Sequence, residues 1–229
     1  MEKQEMKKKI IALLTVSMLT FATSAMATDA ILDLGGSFSQ IASIVNGGST
    51  FEGGGSIDTS YLNGHQLKYV YCVDLFTNVS APANYPNTTV NTLGNIFGNQ
   101  VYNADRVAYL LTTYGTGGQG DQAIALQAAI WHETNAAGVY NLDMDYYNAN
   151  NANIANLYTT YVNAADTHSG DISQFFWITP GKDVNGNLTT YQGLVASAHN
   201  PEPSTIILLG TGMLFMAIYG KRRMNKEAL

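Results

Sequence analysis

The sequence predicts an α+β domain: one antiparallel β-sheet or sandwich with a helical insertion between a cysteine-bearing strand and two C-terminal strands. Three observations carry this. Apolar residues alternate through residues 65–79, three stretches with helical spacing follow between positions 103 and 165, and two β-rich segments, 172–178 and 188–195, flank a turn of sequence D-V-N-G-N at 183–187.

Taken in order, residues 30–45 carry Ile31, Leu32, Leu34, Phe38, Ile41, Ile44 and Val45 around Gly35-Gly36, a pattern for two short strands and a turn. Gly47-Gly48 and Gly53-Gly54-Gly55 punctuate the next stretch and make residues 49–57 part of a hairpin, and Asn63-Gly64 turns the chain into the stretch 65–79. There Leu67, Tyr69, Tyr71, Val73 and Leu75 alternate with Lys68, Val70, Cys72, Asp74 and Phe76. Both sets are partly apolar, which predicts a central strand packed on two faces, with Cys72 partly buried. Residues 80–98, with Pro82 and Pro86 among Asn and Thr, read as a long loop.

Asn103 or Asp105 caps a helix to Tyr114 whose apolar stripe is Val107, Leu110, Leu111 and Tyr114. The Gly-rich run after it lacks the lysine of a phosphate loop and reads as a linker. Asp121–Thr134, D-Q-A-I-A-L-Q-A-A-I-W-H-E-T, has the strongest helix composition, with Asp121 as a candidate cap. Ile124, Gln127, Ala128 and Trp131 share one face, so an amide sits where a core helix carries leucine. Residues 148–165 give a further helix through Ile154, Leu157, Tyr158 and Tyr161.

Both ends read as export signals. Lys7-Lys8-Lys9, an apolar run and Ala25-Met26-Ala27 make residues 1–27 a secretory signal peptide for signal peptidase. In residues 201–229, Pro201-Glu202-Pro203 precedes an apolar run and Lys221-Arg222-Arg223, the pattern of a short transmembrane helix with a cytoplasmic basic end. That order of parts closely resembles the PEP-CTERM sorting signal. The resemblance implies handling by an exosortase, transient anchoring in the inner membrane and delivery to the cell surface or exopolysaccharide matrix of a Gram-negative bacterium.

Between them, residues 28–200 form one extracellular domain with three basic residues (Lys68, Arg106, Lys182) against thirteen acidic ones, a net charge of −10. Nucleic acid is not the partner of such a surface. The single cysteine of the chain excludes an internal disulfide. His65, His132, His168 and His199 are scattered, with no second cysteine, so neither a metal site nor a cofactor is expected.

Tyr71-Cys72-Val73-Asp74 on a strand, followed 55 residues on by Gln127 within L-Q-A-A-I-W on a helix, resembles the thioester domains of bacterial surface adhesins. In that family a Cys thiol and a Gln carboxamide condense with loss of ammonia. The resemblance implies a Cys72–Gln127 thioester, shielded by Tyr71 and Trp131 and assisted by Asp74 or His132. It implies a single-turnover covalent binder, an adhesin rather than an enzyme, with an amine-bearing ligand: a protein lysine, an amino sugar or a polyamine. Two other readings stand beside it. One is a structural biofilm-matrix protein whose Cys72 stays a free thiol; the other is a cysteine hydrolase built from Cys72, His132 and Glu133.

Overall fold

The computed structural model describes residues 27–36, 41–46, 49–54, 56–57, 59–117, 120–135, 139–181, 191–197 and Met213. The segments read from sequence as a signal peptide (before Ala27), as a turn (183–187) and as a sorting signal (201–229, apart from Met213) lie outside them. All described residues but Met213 belong to one compact unit. No helix among them is long and apolar enough to cross a membrane.

The α+β expectation holds. Among the described residues, twelve strands run β1 (Ala27–Leu34), β2 (Ile41–Asn46), β3 (Ser49–Gly54), β4 (Tyr61–Leu62), β5 (His65–Gln66), β6 (Val70–Cys72), β7 (Ala83–Asn91), β8 (Asn95–Ile96), β9 (Asn99–Gln100), β10 (Asn141–Leu142), β11 (Phe175–Thr179) and β12 (Leu194–Ser197). Four helices, α1 (Ala104–Tyr114), α2 (Asp121–Thr134), α3 (Met144–Asn150) and α4 (Ala152–Ala165), fall between the cysteine strand and the last two strands. An open seven-stranded sheet has the order β5-β4-β1-β7-β11-β12-β6, every neighbour antiparallel. A smaller sheet, β10-β2-β3, contains the hairpin expected near residues 49–57.

Four expectations need correction. The stretch 65–79 is not one central strand: it breaks into β5 and β6, and β6 is the outermost strand of the sheet. After Cys72 the Asp74 carboxylate accepts the Phe76 N–H (2.9 Å) and the Thr77 hydroxyl, folding residues 74–77 into a turn. The supposed loop 80–98 contains β7, which lies between β1 and β11 deep in the sheet. Its polar residues are tolerated because they are bonded: the Thr88 hydroxyl donates to Tyr85 O, and Asn91 Nδ2 donates to Asn95 O.

Helix caps differ too. Gly120, not Asp121, is the N-cap of α2. The Asp121 carboxylate instead accepts from Asn151 Nδ2 (3.0 Å) and Asn153 Nδ2 (2.7 Å) at the start of α4. Asn103 occupies the N-cap of α1, yet its side chain leaves the helix and donates to Glu133. The predicted helix 148–165 is two helices, divided where Asn151 takes φ −155° and ψ 79°.

Helix α2 lies within the domain, packed against α1, α4, β2, β6 and β10. Ala123 to Glu133 are buried without interruption. A helix covered on all sides has no solvent face to balance its apolar one; four alanines give its neighbours the close approach that this requires. The Gln127 amide is therefore fully enclosed.

Candidate functional site

The register of β6 sets the geometry at Cys72. Leu194 pairs with Cys72, Val195 with Tyr71 and Ala196 with Val70, and the Val73 N–H donates to Gly193 O at 2.9 Å. Along an antiparallel pair, hydrogen-bonded and non-bonded residues alternate. Tyr71 and Val73 thus exchange bonds with β12, while Val70 and Cys72 turn their backbone groups outward, away from the sheet. Buried outward-facing groups on an edge strand need other partners. The Ile57 N–H reaches Val70 O at 2.8 Å.

At Cys72 the partner is Gln127. The Cys72 N–H donates to Gln127 Oε1 (2.9 Å), and Gln127 Nε2 donates to Cys72 O (2.7 Å). One primary amide thereby does the work of the missing neighbouring strand. Because both amide heteroatoms bond in the plane of the strand, the amide carbon lies beside the Cys72 backbone. The Cys72 side chain leaves that plane, so thiol and amide belong to one enclosed site without the thiol competing for the amide's two hydrogen bonds.

The site is sealed. Cys72 is 1% exposed and Gln127 0%. Burial first, and the charge of Asp74 second, push the Cys72 thiol far above its ordinary range. The sulfur is therefore held protonated, and the Cys72 N–H polarises the carbonyl that it would attack. A covered site of this kind protects an acyl group from water once formed.

The other residues singled out from sequence take different places. Trp131, on the Gln127 face of α2, is 1% exposed and its indole N–H has no partner among the described residues. Tyr71 is fully buried, but strand alternation sends it to the face opposite Cys72, where its hydroxyl donates to Thr116 O at 2.7 Å. Asp74 is half-buried in its own turn. His132 is buried rather than a solvated helix end; its Nδ1 lies 3.1 Å from the Tyr158 hydroxyl, 3.1 Å from Asn141 Oδ1 and 3.2 Å from Tyr140 O. Burial, the largest effect, pushes the Tyr158 hydroxyl in this cluster up to about 12. Pro201, Glu202 and Pro203 lie outside the described residues.

Sequence reasoning did not find the ionic cluster on the far side of α2. The Glu133 carboxylate, fully buried, accepts from Arg106 (3.3 Å) and Asn103 (3.0 Å), and Arg106 also bonds Asp166 at 2.7 Å. The signal was available: Arg106 is one of only three basic residues between positions 28 and 200. The cluster ties α1, α2 and the end of α4 together, which keeps Glu133 on structural duty.

Comparisons place no relative beside this geometry. No family model, curated protein or solved structure matches the chain.

Proposed function

We propose that the chain is an exported surface or matrix protein that attaches covalently to amine-bearing partners through a Cys72–Gln127 thioester. One observation carries the reading: the only cysteine of the chain and a buried glutamine 55 residues away meet in direct contact inside a sealed site. Attack of the Cys72 sulfur on Gln127 Cδ forms the C–S bond and expels Nε2 as ammonia, the thiol proton leaving with it. Proximity supplies the rate, since the two groups need no further search for one another. An amine R–NH₂ then adds to the same carbon; the C–N bond forms, the C–S bond breaks, and the amine proton passes to sulfur. The raised thiol range favours Cys72 leaving as the neutral thiol. The protein acts once and does not turn over.

The ends of the chain support the setting. A leader of residues 1–27 and the PEP-CTERM-like segment 201–229 fit export, transient inner-membrane anchoring by the C-terminal helix and exosortase sorting to a Gram-negative surface or exopolysaccharide matrix. Ligands in that setting include protein lysines, amino sugars and polyamines.

A second reading is favoured by the same hydrogen bonds. Gln127 satisfies both outward groups of Cys72 without reacting, so a matrix protein with a free thiol uses the amide as a strand fastener. Intact mass separates the two readings, with the termini assigned by peptide mapping. The thioester form is one ammonia lighter than its sequence, gains the mass of methylamine on exposure to it, and loses both properties in Cys72→Ala. A folded, freshly purified chain at full mass that ignores methylamine leaves the fastener reading in place.

A further inference from the structure

Three clefts adjoin the helices, and two of them approach the stripe of α2 that holds Gln127. The larger, about 530 Å³, meets the first half of the helix at Asp121 and Ile124 and has no residue of the cysteine strand in its wall. The other, about 380 Å³, is lined by Val73 and Asp74 directly after Cys72, by Phe97 and Tyr102 across from them, and by Thr134 and Asn135 at the end of α2. A third, about 550 Å³, lies by Asn103 and Asp105 and touches neither the cysteine strand nor α2.

We propose that the cleft at Val73 and Asp74 is the access route to the crosslink, and that it selects a protonated primary amine at the tip of an unbranched alkyl chain. The inference rests on the thioester reading. Among the described residues Asp74 is the only charged one lining this cleft, and it stands two positions from Cys72 in sequence. Its influence extends to Cys72, whose thiol it helps to keep protonated. Tyr102, with 59% of its surface exposed, and Phe97 line the same cleft, and aromatic rings there favour a cation. No lining residue repels an ammonium group.

Shape narrows the class further. The cleft stops at Val73, and Cys72 and Gln127 are 1% and 0% exposed. A methylene chain can thread the last residue's depth; an amine mounted directly on a sugar ring, flanked by hydroxyls, brings the ring to the mouth before its nitrogen reaches Gln127 Cδ. Asp74 binds R–NH₃⁺ at the mouth. The ammonium gives its proton to solvent before attack, and the resulting R–NH₂ forms the amide while Cys72 leaves as the thiol. Lysyl side chains and polyamines share this chemistry.

The test uses the purified full chain and follows adduct formation on Gln127 by mass. Four nucleophiles are compared: a lysine blocked at its α-amine and carboxyl, spermidine, glucosamine and hydroxylamine. Hydroxylamine is mostly uncharged at neutral pH and small enough to report the bond itself. Blocked lysine and spermidine are expected to react at least about tenfold faster than glucosamine. Asp74→Asn, which retains an acceptor for the Phe76 N–H, should slow both about fivefold, the scale of one charge contact near a surface, and flatten their salt dependence. Any fall in its hydroxylamine rate should be smaller than the fall for these two charged amines. Tyr102→Arg, at the exposed rim, should reproduce the selective loss, and Asp143→Asn in the larger cleft should have no effect. Spermidine outpacing lysine by more than about threefold assigns a polyamine ligand; rates closer than that assign a lysyl side chain. Equal rates for glucosamine and lysine, or a loss on Asp143→Asn instead of Asp74→Asn, would overturn the assignment. No hydroxylamine adduct on any variant refutes the thioester beneath it.

Discussion

Gln127 has two separable jobs, and one substitution isolates the first. In a Cys72→Ala background no crosslink can form, yet the Cys72 position keeps its outward N–H and C=O. Gln127→Leu then replaces the amide with a side chain of similar volume and leaves both groups, bonded at 2.9 and 2.7 Å in the native protein, without partners. Water cannot replace them, because the strand is enclosed and residue 72 is 1% exposed. Each stranded buried group costs about 1–3 kcal/mol. Leucine's extra apolar burial returns about 1 kcal/mol, so the expected loss is about 1–5 kcal/mol. Urea unfolding, followed by the fluorescence of the buried Trp131 and Trp177, reads this as a shift in midpoint at constant slope. A loss below about 0.5 kcal/mol would falsify the idea that Gln127 completes the edge of the sheet. In the reactive background, Cys72→Ala should itself cost about 4 kcal/mol more than a buried thiol alone, the loop-entropy value for a 55-residue bridge.

Three further outcomes are expected. With its thiol free, the chain should lose stability relative to Cys72→Ala as pH rises above about 8.5, where the unfolded thiol ionises but the folded one keeps its proton. The native state then binds more protons than the unfolded state, so the difference shrinks by about 1.4 kcal/mol per pH unit; urea midpoints from pH 7 to 10 should show that slope, and an intact thioester should show none. Arg106→Met should cost about 2–3 kcal/mol by leaving the Glu133 charge buried, and adding Glu133→Gln should recover most of it in thermal unfolding. A Cβ on Gly170 would stand 2.3 Å from Tyr109 N and 2.6 Å from Ala108 C, so Gly170→Ala should cost about 2 kcal/mol. Gly120→Ala, which meets open space, should cost less than about 1 kcal/mol on the same assay.

The fold class was legible because helical and alternating periods occupy different parts of the chain. The central strand β7 was not. Its inward residues include Thr88 and Asn91, polar side chains whose burial depends on bonds to Tyr85 O and Asn95 O that no local pattern announces. The alternation through residues 65–79 misled in the opposite sense, since it continues past Cys72 although the Asp74 turn ends the strand. For the site, a lone cysteine and an amide on an apolar helix face marked the two residues as candidates, and the resemblance of their motifs to thioester domains paired them. The manner of their meeting was out of reach: it depends on β6 being outermost and on which residues of that strand face outward, both products of tertiary pairing. His132 and Glu133 looked like neighbours of the chemistry by sequence alone. Helix geometry turns them to other faces, toward Tyr158 and Arg106.

The position of β6 also bears on how the molecule behaves when crowded. An open sheet has two flanks on which another chain could add a strand, and a protein at high local concentration meets its own copies constantly. Here one flank ends in β5, two residues long with His65 and Gln66 exposed. The opposite flank is stopped at Cys72 by a side chain of the same molecule. Neither offers a long apolar template, so dense arrays of this domain can form without the sheet propagating into fibres.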